Sequence, residues 1–147
     1  MTQDYRRDPR VPAFADDAPL FVYDGECIMC SGFVRWLMTQ DRGGRIRVTP
    51  AQGPIGRGLY AHLDIAADRF DTHLLVVDGV ITGRSDAAIG LLRLLGGRWS
   101  LLAALGTIIP RSLRDAAYDL LARNRYRVRG RRDTCWRPDS ALAARVL

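Results

Sequence analysis

The sequence predicts an α/β fold in which a strand–helix–strand unit leads into a β-hairpin, a helix and extra C-terminal helices. Three observations carry that prediction. An apolar run at Leu20–Tyr23, a helical repeat over 31–39 and an alternating run over 45–49 follow one another closely. Together they span about thirty residues, the size of a βαβ unit with parallel strands. His73-Leu74-Leu75-Val76-Val77 and Val80-Ile81-Thr82 flank Asp78-Gly79, a pair suited to a hairpin turn. A second helical repeat, Ala87, Ala88, Leu91, Leu92 and Leu95, follows at once and stops at Gly96-Gly97.

Each element has its own local reason. Residues 1–19 hold Pro9, Pro12 and Pro19 without sustained periodicity, and read as a flexible lead-in. Leu20–Tyr23 suits a buried strand, punctuated by Asp24-Gly25. From Ser31 to Thr39, Phe33, Val34, Trp36, Leu37 and Met38 recur at helical spacing until Asp41-Arg42-Gly43-Gly44. Arg45-Ile46-Arg47-Val48-Thr49 alternates polar and apolar, as a second strand would. Pro50 to Gly58, with two prolines and three glycines, reads as loop, and Tyr60–Ala67 as a weak helix. Ser85 is placed to cap the helix that ends at Gly96-Gly97. The order β-α-β, connector, β-hairpin, helix is that of a thioredoxin-like domain. Beyond it lie a short apolar helix over Trp99–Ile109 and a longer one from Ser112 to about Arg125. The latter sets Leu113, Ala116, Ala117, Leu120 and Leu121 on one face. Both exceed a minimal core of this kind, and so either pack back on the sheet or form a partner surface.

Length and composition narrow the class. The 147 residues fit one domain, and 48% hydrophobic with 26% charged residues is ordinary for a globular protein. All 22 basic residues are arginine. Residues 111–147 hold ten arginines against four aspartates, which equals the net +6 of the whole chain. That basic quarter could meet phosphate, an acidic partner or an anionic membrane. The first residues lack the apolar core of a secretory signal. The most apolar stretch, Ala87 to Pro110, is interrupted by Arg93 and Gly96-Gly97-Arg98 and is too short on either side to span a bilayer. The expectation is a soluble cytoplasmic protein, in which a cysteine pair serves catalysis or metal binding rather than a lasting structural bridge.

The chemistry centres on Cys27-Ile28-Met29-Cys30, set directly after the first strand where a helix begins. A thiol at a helix N-terminus faces unsatisfied N–H groups and the positive end of the dipole, which favour thiolate. A thiolate with a second cysteine in reach attacks a disulfide and is then released from the mixed disulfide. Cys27, expected at the exposed helix start, is the candidate nucleophile. Cys30, about one turn in and more buried, is the candidate resolving thiol. The dull alternative is a pair of small buried hydrophobes. Asp24 has two readings: a general base for Cys30, or a turn residue that hydrogen-bonds the backbone before Gly25. A carboxylate close to Cys27, from Asp24 or Glu26, would instead oppose thiolate formation. Glu26 reads as a solvated charge.

Other residues invite weaker readings. Cys135 is a third redox thiol, a zinc ligand with Cys27 and Cys30, or a structural residue. The available nitrogen donors, His62 and His73, lack ligand-type spacing and read as surface or strand residues, so no metal site is expected. Arg123 to Arg132 holds six arginines in ten residues, with Tyr126 and Trp136 nearby. Such a run could bind nucleic-acid phosphates, yet arginines at every second position also suit a solvated edge or pairing with the chain's own carboxylates, and no nucleic-acid-binding signature accompanies it.

Tyr23-Asp24-Gly25-Glu26-Cys27-Ile28-Met29-Cys30 resembles the Asp-x-x-Cys-x-x-Cys signature of the DCC-type thiol-disulfide oxidoreductases. The likeness continues in Ser85-Asp86-Ala87-Ala88, Ile109-Pro110-Arg111, Tyr118, Ala122-Arg123-Asn124-Arg125-Tyr126, Gly130-Arg131-Arg132-Asp133 and Cys135. It covers about residues 20–138, leaving a lead-in over 1–19 and a tail over 139–147. The resemblance implies a thioredoxin-like fold and dithiol-disulfide exchange by Cys27 and Cys30 with Asp24 alongside. One departure from ordinary thioredoxins matters: where they carry a cis-proline before the third strand, this chain has Asp71-Thr72-His73. The function expected is an oxidoreductase without bound cofactor. It would act on a protein or low-molecular-weight disulfide and be reset by a reducing partner. The rival is a non-enzymatic module whose Arg-rich C-terminal segment engages an acidic protein, an anionic membrane or nucleic acid.

Overall fold

The computed structural model describes residues 4–66, 72–129 and 145–147. Four strands, β1 (Leu20–Tyr23), β2 (Arg47–Pro50), β3 (Leu74–Val77) and β4 (Val80–Gly83), form one sheet in the order β2-β1-β3-β4. β1 and β2 are parallel, joined by α1 (Ile28–Gln40), as the predicted βαβ unit requires. β1–β3 and β3–β4 are antiparallel, and the β3–β4 turn is Asp78-Gly79, both at positive φ. The sheet with its helices is the thioredoxin-like arrangement, extended by α4 (Gly97–Ile108) and α5 (Arg111–Arg129).

Alternation along β1 splits the core in two. Phe21 and Tyr23 face Val34, Leu37 and Met38 of α1 and Ala87 and Leu91 of α3 (Arg84–Leu95). Leu20 and Val22 face the other way, toward Leu59 and Tyr60 of α2 (Pro54–His62) and toward Tyr5. Both faces of β1 are covered, which explains its uninterrupted apolar sequence.

The structure departs from the sequence reading at several places. The stretch read as loop contains α2, which opens with Pro54 in the first turn, where its missing N–H costs nothing. The glycines that suggested a loop permit close packing instead. A Cβ on Gly56 would lie 2.5 Å from the Pro50 carbonyl oxygen, and one on Gly58 2.5 Å from that of Arg10. Ser85 does not cap α3; Gly83 holds that position, and the Ser85 hydroxyl donates to Asp115 of α5 at 2.5 Å.

The lead-in is packed rather than flexible over its described residues. Tyr5 is buried, stacked on Phe14, and donates its hydroxyl to Asp16 at 2.8 Å. Burial, with the Asp16 hydrogen bond and charge adding to it, pushes the Tyr5 phenol up to about 12. Asp8 meets the His62 ring at 2.8 Å, so His62 ties the lead-in to α2 and is not a surface residue. At the other end, Val146 pairs in parallel with Val48, and Arg145 reaches Asp41 at 2.6 Å. These last residues of the tail therefore lengthen the sheet edge beside β2.

Candidate dithiol site

The site grows from the end of the central strand. After Tyr23 the chain turns through Asp24-Gly25-Glu26, and Cys27 becomes the N-cap of α1. Its sulfur accepts the Cys30 backbone N–H at 3.4 Å, and its carbonyl accepts the first helical bond from Ser31 at 3.0 Å. An N-cap side chain that accepts from N3 is the capping geometry usually supplied by Ser or Asp. A sulfur in that place gains from negative charge, since the donor and the helix dipole both favour an anion.

The loop before Cys27 is clamped by three side chains. Asp24 is buried, and its Oδ1 accepts from Glu26 N–H at 3.0 Å and from Gln52 Nε2 at 2.6 Å. Gln52 completes a two-sided clasp by accepting the Gly25 N–H at 3.0 Å. Ser31 donates its hydroxyl to the Gly25 carbonyl at 3.4 Å. Gln52 follows β2, which lies parallel to β1, so the sheet delivers it to the same end as the cysteines.

Sheet register also delivers His73. Val22 pairs with Leu74, and one more step of that antiparallel register brings His73 beside Tyr23. His73 therefore shares the face of Phe21, whose ring lies 5.4 Å from its own, and this is the face that α1 covers. There Nε2 of His73 stands 3.2 Å from Sγ of Cys30. The reading of His73 as an ordinary strand or surface residue is thus corrected. It stands directly before β3, and its backbone N–H, which a proline would lack, donates to the Tyr118 hydroxyl at 2.8 Å. Tyr118 comes from α5, edge-on to the His73 ring at 6.1 Å.

Cys27 and Cys30 are both buried, at 0% and 2% exposure. The expectation of an exposed nucleophile at the helix start is therefore overturned. α5 packs against α1 and brings Tyr118 over the site, an event the local sequence around Cys27 gives no sign of. Gln52, His73 and Tyr118 are residues that the sequence reading did not place at the site, although Tyr118 is among those that carry the family likeness. For His73 a signal existed: a histidine directly before a strand in place of the expected proline.

Among the described residues no group of three or more His, Cys, Asp and Glu could hold a metal ion. Cys135 and Trp136 lie outside the described residues, as does the rest of the stretch 130–144 and the side chains of Arg125, Tyr126 and Arg129. The Arg-rich run is helical as far as Arg129; Arg123 and Arg127 are exposed, and Arg123 donates to the Asp119 carbonyl at 3.3 Å. No helix among the described residues is long and apolar enough to cross a membrane.

A CxxC pair at the first strand-to-helix junction of a thioredoxin-like sheet defines a dithiol protein of the thioredoxin class. The chain belongs to the DCC1-like thiol-disulfide oxidoreductase family, whose model matches residues 21–131. It is 33% identical over 128 residues to the uncharacterized protein YuxK of Bacillus subtilis, covering 87% of this chain and 93% of that one. It is 29% identical over 120 residues to a chloroplastic DCC family protein of Arabidopsis thaliana, covering 82% of this chain and 70% of that one. No solved structure matches the chain.

Proposed function

We propose that the protein is a cytoplasmic enzyme that exchanges a Cys27–Cys30 dithiol with a protein or low-molecular-weight disulfide. The Cys27 thiolate attacks one substrate sulfur, forming a mixed disulfide and releasing the other half as thiolate. Cys30 then attacks Cys27 Sγ, closing the Cys27–Cys30 disulfide and releasing the second half. The substrate gains two electrons and the pair loses them, and a dithiol reductant resets it. The observation that carries this reading is the His73 Nε2–Cys30 Sγ contact of 3.2 Å. With its proton on Nδ1, His73 offers Nε2 as the base that takes the Cys30 proton during resolution. Asp24 orients the loop through Glu26 and Gln52. Because both cysteines are buried, the cover over the site moves aside before exchange. The redox domain takes in the packed lead-in and the chain end along with residues 20–138.

The test is thiol-trapping mass spectrometry against glutathione buffers, in a Cys135→Ala background. A reversible two-electron Cys27–Cys30 transition is expected. Cys27→Ser abolishes reduction of an added disulfide, and Cys30→Ser accumulates the mixed disulfide. His73→Gln leaves the mixed disulfide forming, slows its release about a hundredfold, and moves the pH of half-maximal release upward. Failure to form the Cys27–Cys30 disulfide at any glutathione poise would refute the oxidoreductase reading.

A further inference from the structure

The helix that brings Tyr118 over the dithiol is built inside out. The sequence sets Leu113, Ala116, Ala117, Leu120 and Leu121 on one face of α5, and that face points into solvent: Leu113 is 61% exposed, Leu120 60% and Leu121 53%. The row turned toward the body is Arg114, Asp115, Tyr118, Asp119 and Ala122, and it is only half-buried. No residue of α5 whose side chain is described is fully buried. The two cysteines beneath, by contrast, are closed off from solvent.

Polar contacts hold that row down. Arg84, the first residue of α3, pairs with Asp119 and lies 3.7 Å from Asp115. Asp86 takes Arg111 at 3.0 Å and Arg114 at 3.3 Å, and the Ser85 hydroxyl bonds Asp115. Arg84 makes its contacts from a backbone at φ 57°, a region that residues other than glycine seldom enter. Next to this cluster Tyr118 accepts the His73 N–H and sets its ring edge-on to the imidazole that meets Cys30. A contact made of partly exposed ion pairs opens at little cost. Each charged group regains water as it leaves its partner, and salt weakens the attraction further. The apolar face of α5 is in water before and after, so its leucines do not resist the movement. Phe21, Tyr23 and Leu37 stay packed between the sheet and α1 throughout. Of the elements around the dithiol, α5 is thus the one to part first.

We propose that α5 is a lid over the Cys27–Cys30 site, latched to the start of α3 by Arg84, Asp86, Asp115 and Asp119, and that release of this latch sets how fast the thiols are reached. The lid takes its purpose from the dithiol reading, yet its opening is measured without any exchange reaction. The test follows alkylation of Cys27 and Cys30 by iodoacetamide in the folded, reduced full chain, resolved by mass spectrometry. Hydrogen exchange of the His73 amide, which opening frees from Tyr118, is read beside it. Asp115→Asn with Asp119→Asn removes the charges while keeping side-chain shape and an acceptor for Ser85. The pair of substitutions is expected to speed both readings about tenfold and to leave exchange of the β1 amides unchanged. High salt speeds them in the wild-type chain as well. Asp17→Asn, which breaks the exposed pair with Arg47, changes neither. Asp119→Asn alone serves if the double variant melts early. The proposal fails if the latch variants alkylate and exchange at wild-type rates, or if Asp17→Asn speeds both equally. It fails also if the thiols react only as fast as the β1 amides exchange, since global unfolding is then their sole route to solvent. A lid that opens as expected over a pair that never forms a disulfide would uphold this proposal and refute the exchange reading alone.

Discussion

α1 and α4 are of similar length and are assembled in opposite senses. α1 turns Val34, Leu37 and Met38 into the core and holds Cys30 and Ser31 under the loop at its N-terminus. α4 turns Ala103 inward and leaves Leu101, Leu105 and Ile108 in solvent. The same residue type, leucine, therefore does different work in the two helices. In α1 it excludes water from the sheet and fixes where the dithiol stands; in α4 it contributes little to the fold. Hydrophobic content alone does not separate the two, because burial depends on which side the neighbouring helices approach from. α4 packs on α3, so its small residues face that helix and its large ones are left over.

The sharpest way to break this comparison is a pair of leucine truncations. Leu37→Ala, in the fully buried row of α1, is expected to cost about 2–5 kcal/mol of stability. Leu105→Ala, on the exposed row of α4, is expected to stay within about 0.5 kcal/mol. Urea denaturation of the two variants measures both. Equal losses would mean that the outer face of α4 is core after all, and the contrast would collapse.

The sequence made the strands and most of the helices legible, α2 excepted, for a physical reason. β1, α1, β2 and the hairpin are specified by local periodicity and turn chemistry, and they appear where Leu20–Tyr23, the 31–39 repeat and Asp78-Gly79 place them. α2 was concealed because Gly56 and Gly58 answer to close neighbours, Ala51 and Val11, rather than to local propensity. The dithiol itself was readable from Cys27 and Cys30 beside a strand end. Its surroundings were not, since Gln52, His73 and Tyr118 arrive from β2, β3 and α5 through sheet register and helix packing. Ser85 shows the same limit. Its capping role looked local, and its hydroxyl is used by Asp115, thirty residues further on.

Gln52 tests the clamp at the α1 end of the comparison. It joins two backbone segments by one donated and one accepted hydrogen bond, at 2.6 and 3.0 Å. Gln52→Ala removes both and leaves the Gly25 N–H and the Asp24 carboxylate without that partner, at an expected cost of about 1–3 kcal/mol. Alkylation of Cys27 should become faster as the loop loosens. Gln52→Glu keeps an acceptor for Gly25 but sets a second carboxylate against Asp24, so at neutral pH it should destabilise more than alanine does. Thermal melts of the two variants decide this; glutamate milder than alanine would show that the Asp24 contact matters little.

The smallest expected effect lies where α5 is fastened to α3. The Ser85 hydroxyl bond holds the Asp115 carboxyl below its ordinary value of 3.8, with the Ser85 N–H, Arg84 and Arg111 acting in the same direction. Such a group takes up a proton less readily in the folded chain than in the unfolded one. Its stabilising effect is therefore complete above the unfolded value and is lost as pH falls through the folded one. Ser85→Ala removes the O–H donor, so the Asp115 carboxyl should titrate nearer 3.8. The stability difference between wild type and variant should be largest near neutrality and shrink in acid. Asp8 and Asp16 are also held low, by Arg10 and Arg6 respectively, so acid unfolding of the whole chain will not isolate the contact. Carboxyl-detected NMR titration of Asp115 does. An unchanged titration in Ser85→Ala would mean that the arginines, not the serine, set this carboxylate.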